Sequence, residues 1–288
     1  MPVLVDATHP LWSVVEQLSG SELVKGVALV GSRIGDLAVP DSDYDVFIYT
    51  EGDLADLRAE MADEFADASS WRSVREHAFG DEDAWRLGAD GPWLDLMYWS
   101  TAWAEEQLDE VLVQHRARIG YSTAFWRSIR MAQPLYERDT WHAALQRRAR
   151  HPYPDPLRRN IVELNYPYLC DHPFSFRHQL AQAIARHDAV SVNHRLAAWL
   201  ASYVDIVFAV NRVLHPGENR ILEFLARECT ILPAGALVML ERLASVPGGV
   251  QTEVLDSIDA MIAPLDDLLR CEGLLPSEPQ HRPPLGSH

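Results

Sequence analysis

Two short apolar runs separated by a polar turn constrain this chain more than any other feature. Val27-Ala28-Leu29-Val30 leads into Gly31-Ser32-Arg33, and Asp43-Tyr44-Asp45 opens a second run, Val46-Phe47-Ile48-Tyr49. Runs of this length, bounded by turn residues, read as strands. The pattern predicts a strand, a glycine turn with a short helical segment from Gly35 to Val39, a turn at Pro40-Asp41-Ser42, and a second strand. Alternate residues of a strand share a face, so Asp43 and Asp45 project together with Cα atoms roughly 6.5 Å apart. Two acids that close repel each other unless a cation lies between them. A divalent ion with oxygen ligands, Mg²⁺ above all, suits such a pair.

A third acid has a similar setting. Trp93 to Trp99 (WLDLMYW) reads as a strong strand in which Asp95 is the only charged residue. A carboxylate isolated among large apolar side chains needs a cation or hydrogen-bond donors. Around these strands, His9 to Gly20 and Leu54 to Phe65 are spaced for amphipathic helices, and Ala84 to Leu87 is a strand that turns at Gly88-Ala89-Asp90-Gly91-Pro92. Trp71 to Phe79 has no decisive period.

From Thr101 onward the period becomes helical. Segments include Trp103 to Val113, Ser122 to Gln133, Thr140 to Arg150, Leu157 to Tyr166 and Phe174 to His187. The longest, Val190 to Leu214, is apolar on most faces and is expected at the centre of its domain. The expected fold is therefore an α/β (α+β) N-terminal domain with a mixed sheet, followed by an all-helical C-terminal domain. The expected divisions are a mixed α/β domain over 1–115, a helical domain over 116–275, and a disordered tail over 276–288, which is rich in proline and polar residues.

Charge narrows the partners. Lys plus Arg total 25 against 42 for Asp plus Glu, a formal net charge of −17. Nucleic-acid binding needs a basic footprint that this chain lacks, so no nucleic-acid partner is expected. Cys170, Cys229 and Cys271 are far apart and lack metal-ligand spacing, which suits a reducing compartment. The N-terminus has no signal-peptide pattern and no apolar run approaches a membrane span, so the expected location is cytoplasmic, with no membrane partner.

A glycine turn followed by three carboxylates on strands fits phosphoryl transfer. Two metal ions roughly 3.5–4 Å apart can activate an attacking oxygen and hold a triphosphate, and three acids suffice to ligate both. The glycine turn lets backbone N–H groups approach phosphate oxygens, and Ser32 adds a hydroxyl. Arg33 is open between a phosphate contact and a surface ion pair.

The run GSRIGDLAVPDSDYDVFI resembles the signature of the polymerase β-type nucleotidyltransferase superfamily: Gly-Ser, ten intervening residues, then Asp-x-Asp on a strand. Its local form, with Arg33, Gly35 and Ser42-Asp43-x-Asp45, is more similar to the small-molecule, aminoglycoside-nucleotidyltransferase branch. The resemblance implies transfer of a nucleoside monophosphate from an NTP, guessed to be ATP, to a hydroxyl of a small acceptor. It implies two Mg²⁺ ions on Asp43, Asp45 and Asp95, and nucleotide contacts from Gly31, Ser32, Arg33 and Ser42. The alternatives are AMP transfer to a protein side chain, as in some toxin–antitoxin systems, and a non-catalytic nucleotide-binding homologue.

In the helical half, Phe125 to Asp139, Tyr153 to Ile161 and Phe208 to Arg220 resemble the C-terminal part of a group of bacterial nucleotidyltransferase-like proteins. That resemblance implies a domain that closes over the nucleotide cleft, with Asn211, Arg212 and Arg220 as nucleotide contacts. Read from the residues alone, Asp205 and Arg212 share one face of an apolar helix and are open between an internal ion pair and ligand binding. His187 reads as a helix C-terminal capping residue, and no histidine shows metal-ligand spacing.

Overall fold

The apolar runs around the Asp-x-Asp turn form neighbouring strands of one sheet. The computed structural model describes residues 9–34, 42–66, 72–76, 80–87, 91–170, 173–245 and 251–276. The expected helical segment Gly35 to Val39, the Pro40-Asp41 part of the turn and the tail beyond Pro276 lie outside the described residues.

The first half runs α1 (Leu11–Gly20), β1 (Val24–Val30), a single 3-10 turn (Gly31–Arg33), β2 (Tyr44–Thr50), α2 (Ala55–Phe65), β3 (Arg72–Glu76), β4 (Gly80–Arg86) and β5 (Trp93–Ser100). Helices α3 (Thr101–Leu112) and α4 (Ala124–Met131), strand β6 (Gln133–Glu137) and helix α5 (Trp141–Ala149) follow. The six strands form one sheet in the order β3-β4-β5-β2-β1-β6. Pairings are antiparallel except β2 with β5, which is parallel. This is the mixed sheet expected from the sequence.

The chain divides into two units. One comprises Met1–Glu110 and Phe125–Pro152, and the other Val111–Ala124 and Tyr153–His288. This division differs from a cut at 115/116 over residues 111–115 and 125–152. Sequence periodicity places a helix over Ser122 to Gln133, whereas α4 stops at Met131 and Gln133–Glu137 joins the sheet beside β1. Pro134 is the physical reason: it cannot continue a helix, but an edge strand tolerates it.

Both sheet faces of the first unit are packed. Tyr44, Val46 and Ile48 of β2 share one core with Leu94, Leu96 and Tyr98 of β5 and with Leu11, Val14, Val15 and Leu18 of α1. The opposite face carries Phe47, Tyr49 and Trp99, which stack with Trp103, Phe125, Trp141 and His142. Asp45 and Asp95 belong to this second face by strand alternation.

The second unit is built around α8 (Ala189–Val210), flanked by α6 (Asp155–Leu169), α7 (Phe176–Ala185), α9 (Ile221–Glu228), α10 (Ala236–Ala244) and α11 (Gln251–Cys271). Trp199, Tyr203, Val207 and Phe208 of α8 are buried, as expected for a central helix. Arg158 donates to the Val210 carbonyl at 3.1 and 2.9 Å and to Glu272 at 2.7 Å, placing a cation at the negative end of α8. No described helix is long and apolar enough to cross a membrane.

A buried ion pair fastens α2 beneath β4. Arg58 donates to Asp83 at 2.6 and 3.0 Å and also pairs with Asp81, and its guanidinium lies 4.7 Å from the Tyr98 ring centroid. Asp83 is only 1% exposed. Removing one partner of such a pair leaves an uncompensated buried charge, at a cost of about 3–5 kcal/mol. Arg58→Ala is therefore expected to lower the free energy of urea unfolding by about that amount. A loss under about 1 kcal/mol would place the pair in the class of solvated surface bridges.

Candidate active site

The site is assembled by strand register. β1 ends at Val30, whose register partner on β2 is Asp45. On the other side of β2, the parallel pairing sets Asp45 directly against Asp95 of β5. Adjacent strands lie roughly 4.8 Å apart, so the two carboxylates leave the same face side by side.

Gly31 makes room for this arrangement. Its φ is +73°, and a Cβ at that position would fall 1.8 Å from Asp45 Oδ2. A side chain there would clash with the carboxylate as well as strain the backbone. The turn also turns inward the Ser32 N–H, which donates to the Asp45 carboxylate.

The electrostatics follow from this crowding. Burial, then Asp95, then Asp43 push the Asp45 carboxyl up from 3.8 to about 6, against the opposing pull of the Ser32 N–H and Arg33. Burial, Asp43 and Glu82 push Asp95 up to about 6 as well. Each acid thus holds a proton more tightly because it is withdrawn from water beside other carboxylates.

Asp43 stands just outside β2, at its entry next to Ser42. Its Oδ1 accepts from the Trp93 backbone N–H at 3.2 Å, and its carbonyl accepts from Arg33 Nε at 3.2 Å. Arg33 itself is only 6% exposed, with its guanidinium 3.7 Å from the Tyr44 ring centroid. Its guanidinium therefore lies against the backbone of one acid and the ring beside it.

The donor set fits a hard divalent cation: oxygen ligands only, on two adjacent strands, with burial and neighbouring carboxylates raising the proton affinity of two of them. Among the described residues, no three His, Cys, Asp or Glu side chains close into a ready-made metal cage. Asp45 and Asp95 form the paired core of the set, and Asp43 is its outer member.

The helical-unit candidates have partners within their own unit. Asn211, following α8, donates to the carbonyls of Val207 at 2.8 Å and Ile231 at 2.7 Å and accepts from Ile231 N at 2.8 Å. Arg212, at φ +53°, donates to Asp155 at 3.0 and 2.7 Å. Arg220 pairs with Glu223 at 2.7 and 2.8 Å. The Asp205–Arg212 ion pair considered from the sequence does not form. Asp205 instead accepts from the Ser122 hydroxyl at 2.7 Å and the Ser122 N–H at 3.2 Å. His187 follows α7 with φ +54°, and its N–H bonds Ile184 O at 3.0 Å.

Two residues beside the acids escaped the sequence reading. Glu82 is exposed on β4, and its pairing opposite Met97 puts it diagonally across from Asp95. Arg86 pairs opposite Trp93 on the same face. Counting back in steps of two from the Gly88–Pro92 turn finds both, provided the strand is started at Gly80 rather than Ala84.

Residues 11–82 match the family described as Nucleotidyltransferase domain. The matched stretch spans α1 to β4 and includes Gly31, Ser32, Asp43 and Asp45. Residues 11–82 are thus similar to a nucleotidyltransferase domain, a family whose chemistry is transfer of a nucleoside monophosphate from an NTP and whose enzymes generally use a divalent metal. No curated protein matches the chain. Among solved structures, a nucleotidyltransferase-like protein from Exiguobacterium sibiricum 255-15 is similar at 12% identity, over 91% of this chain and 73% of that one, with a TM-score of 0.44.

The raised acids set a pH dependence with a definite sign. A folded-state value of about 6 lies above the usual 3.8, so the stability these groups contribute is complete below roughly pH 4 and is lost as pH rises through about 6. In metal-free buffer, thermal unfolding of the wild type should lose stability over that window relative to the D45N/D95N double variant. Millimolar Mg²⁺ at pH 7 should raise the unfolding temperature of the wild type alone. Superimposable pH profiles for the two proteins would contradict the electrostatic account.

Proposed function

We propose that this enzyme transfers a nucleoside monophosphate, with ATP as donor, to a hydroxyl of a small molecule, and that two Mg²⁺ ions held by Asp43, Asp45 and Asp95 serve the reaction. The observation that carries this reading is the register of β2 and β5. It sets Asp45 against Asp95 beside a glycine turn that admits no Cβ. When bound, the metal supplies charge neutralisation at the transferring phosphoryl group and lowers the pKa of the attacking hydroxyl.

The chain's own groups have separable tasks. Gly31 leaves space for the Asp45 carboxylate. Ser32 presents its hydroxyl toward phosphate while its N–H fixes Asp45. Ser42 adds a hydroxyl at the entry to β2. Arg33 donates to the Asp43 carbonyl, and its charge opposes the upward push on Asp45. With the glycine turn at the β1 side of Asp45 and Asp95 at the β5 side, a triphosphate seated on the turn leaves the β5–β4 side for the acceptor. Asp95, nearest that side, is the group proposed to receive the acceptor proton.

The test is pyrophosphate release from each of the four NTPs against a panel of aminoglycosides, lincosamides, sugars and nucleosides. Turnover with at least one acceptor is expected, abolished by a chelator and restored by Mg²⁺. D45N, D95N and Gly31→Ala should each lower it by at least roughly 100-fold, the scale on which loss of a charge-stabilising group is felt. Undiminished turnover in D45N would exclude the proposed site. Label from ATP entering protein, with no small acceptor used, would move the acceptor to a side chain.

A further inference from the structure

The motif explains why three acids are present but not what holds the first of them. Asp45 and Asp95 lie within strands, and the sheet fixes their backbones. Asp43 lies outside β2 and is exposed, next to a turn. An acid so placed is free to swing unless something restrains its carboxylate. In this structure the restraint on that carboxylate is the Trp93 backbone N–H, at 3.2 Å.

That N–H is in turn only as fixed as the first residue of β5. The strand opens from the β4–β5 hairpin, where Leu87 N bonds Pro92 O at 3.0 Å and a Cβ on Gly91 would lie 1.9 Å from Leu87 O. Arg86 ties this end together. Its Nη1 donates to Gly91 O at 3.1 Å, and its guanidinium sits 5.1 Å from the Trp93 ring centroid. Backbone pairing continues the tie, since Arg86 and Trp93 are register partners at the last position of the β4–β5 ladder. A guanidinium over an indole face and a donor to the carbonyl two residues earlier fix both sides of the donating amide.

We propose that Arg86 is a positioning residue for the metal site: it clamps the start of β5, and the Trp93 N–H then holds the Asp43 carboxylate in reach of the ion shared by Asp45 and Asp95. Arg33 does the same for the Asp43 backbone from the other side. Arginines near a phosphate-transfer site invite assignment as phosphate contacts. Here the contact of Arg33 with the Asp43 carbonyl and those of Arg86 with Gly91 and Trp93 point instead to the acid. The inference rests on the acids being metal ligands, as set out under the proposed function.

The experiment is a Mn²⁺ titration of the purified full-length protein followed by electron paramagnetic resonance, which reads metal binding without turnover. Groups that orient metal ligands typically contribute 10–100-fold to affinity. Arg86→Met is expected to weaken Mn²⁺ binding by roughly tenfold or more, with Arg86→Lys recovering part of it. Trp93→Leu, which keeps the N–H and removes the ring, should shift affinity in the same direction and serves if Arg86→Met does not fold. A merely structural role predicts a lower unfolding temperature with Mn²⁺ affinity unchanged, and that result would overturn the proposal. So would intact Mn²⁺ affinity combined with weakened NTP binding, which would make Arg86 a phosphate contact. If the wild type itself binds no Mn²⁺, the assignment of the acids fails along with the inference. A binding wild type with unaffected variants removes only the role of Arg86.

Discussion

The parallel pairing of β2 with β5 brings the Asp45 and Asp95 carboxylates to one spot on the sheet, half-buried and with Asp43 adding to the repulsion. Two like charges that close work against folding. They persist because the strands carrying them are held from the opposite face by α1 and its apolar partners, whose burial does not depend on the acids. The core beneath the sheet therefore fixes a pair of charges that would otherwise move apart. Such repulsion favours a cation between the carboxylates.

Other local features are consequences of that pair. Gly31 is needed because the Asp45 oxygen occupies the space a Cβ would fill. The sequence reading assigned this glycine to phosphate approach, and the geometry adds the carboxylate as a second reason for the same residue. The Ser32 N–H and the Arg33 guanidinium both oppose the upward push on Asp45. Arg33 and Trp93 hold Asp43 from opposite sides. The turn and the strand ends thus form a shell around the acids.

Much of this was legible in the sequence because strand alternation and turn residues are local signals. The strands around Asp43, Asp45 and Asp95, the mixed sheet and the central helix α8 all followed from period and punctuation. Register across strands is not local, and that is where reading stopped. Nothing in the composition of β4 says that Glu82 and Arg86 lie diagonally beside Asp95 until β4 is paired with β5. Likewise, β6 looked like the end of a helix because only its pairing with β1 makes it a strand. Among the helices, Asp205 and Arg212 have helical spacing, yet Ser122 and Asp155 are their partners, and both come from distant parts of the chain.

The central claim is that Asp45 and Asp95 share a divalent cation beside the glycine turn. A crystal grown with Mn²⁺ and a non-hydrolysable NTP tests it directly through anomalous scattering. The account predicts a Mn²⁺ peak bridging the two carboxylates, with Asp43 among its ligands and the triphosphate against Gly31 and Ser32. Density for nucleotide elsewhere, with no anomalous peak between Asp45 and Asp95, would contradict it.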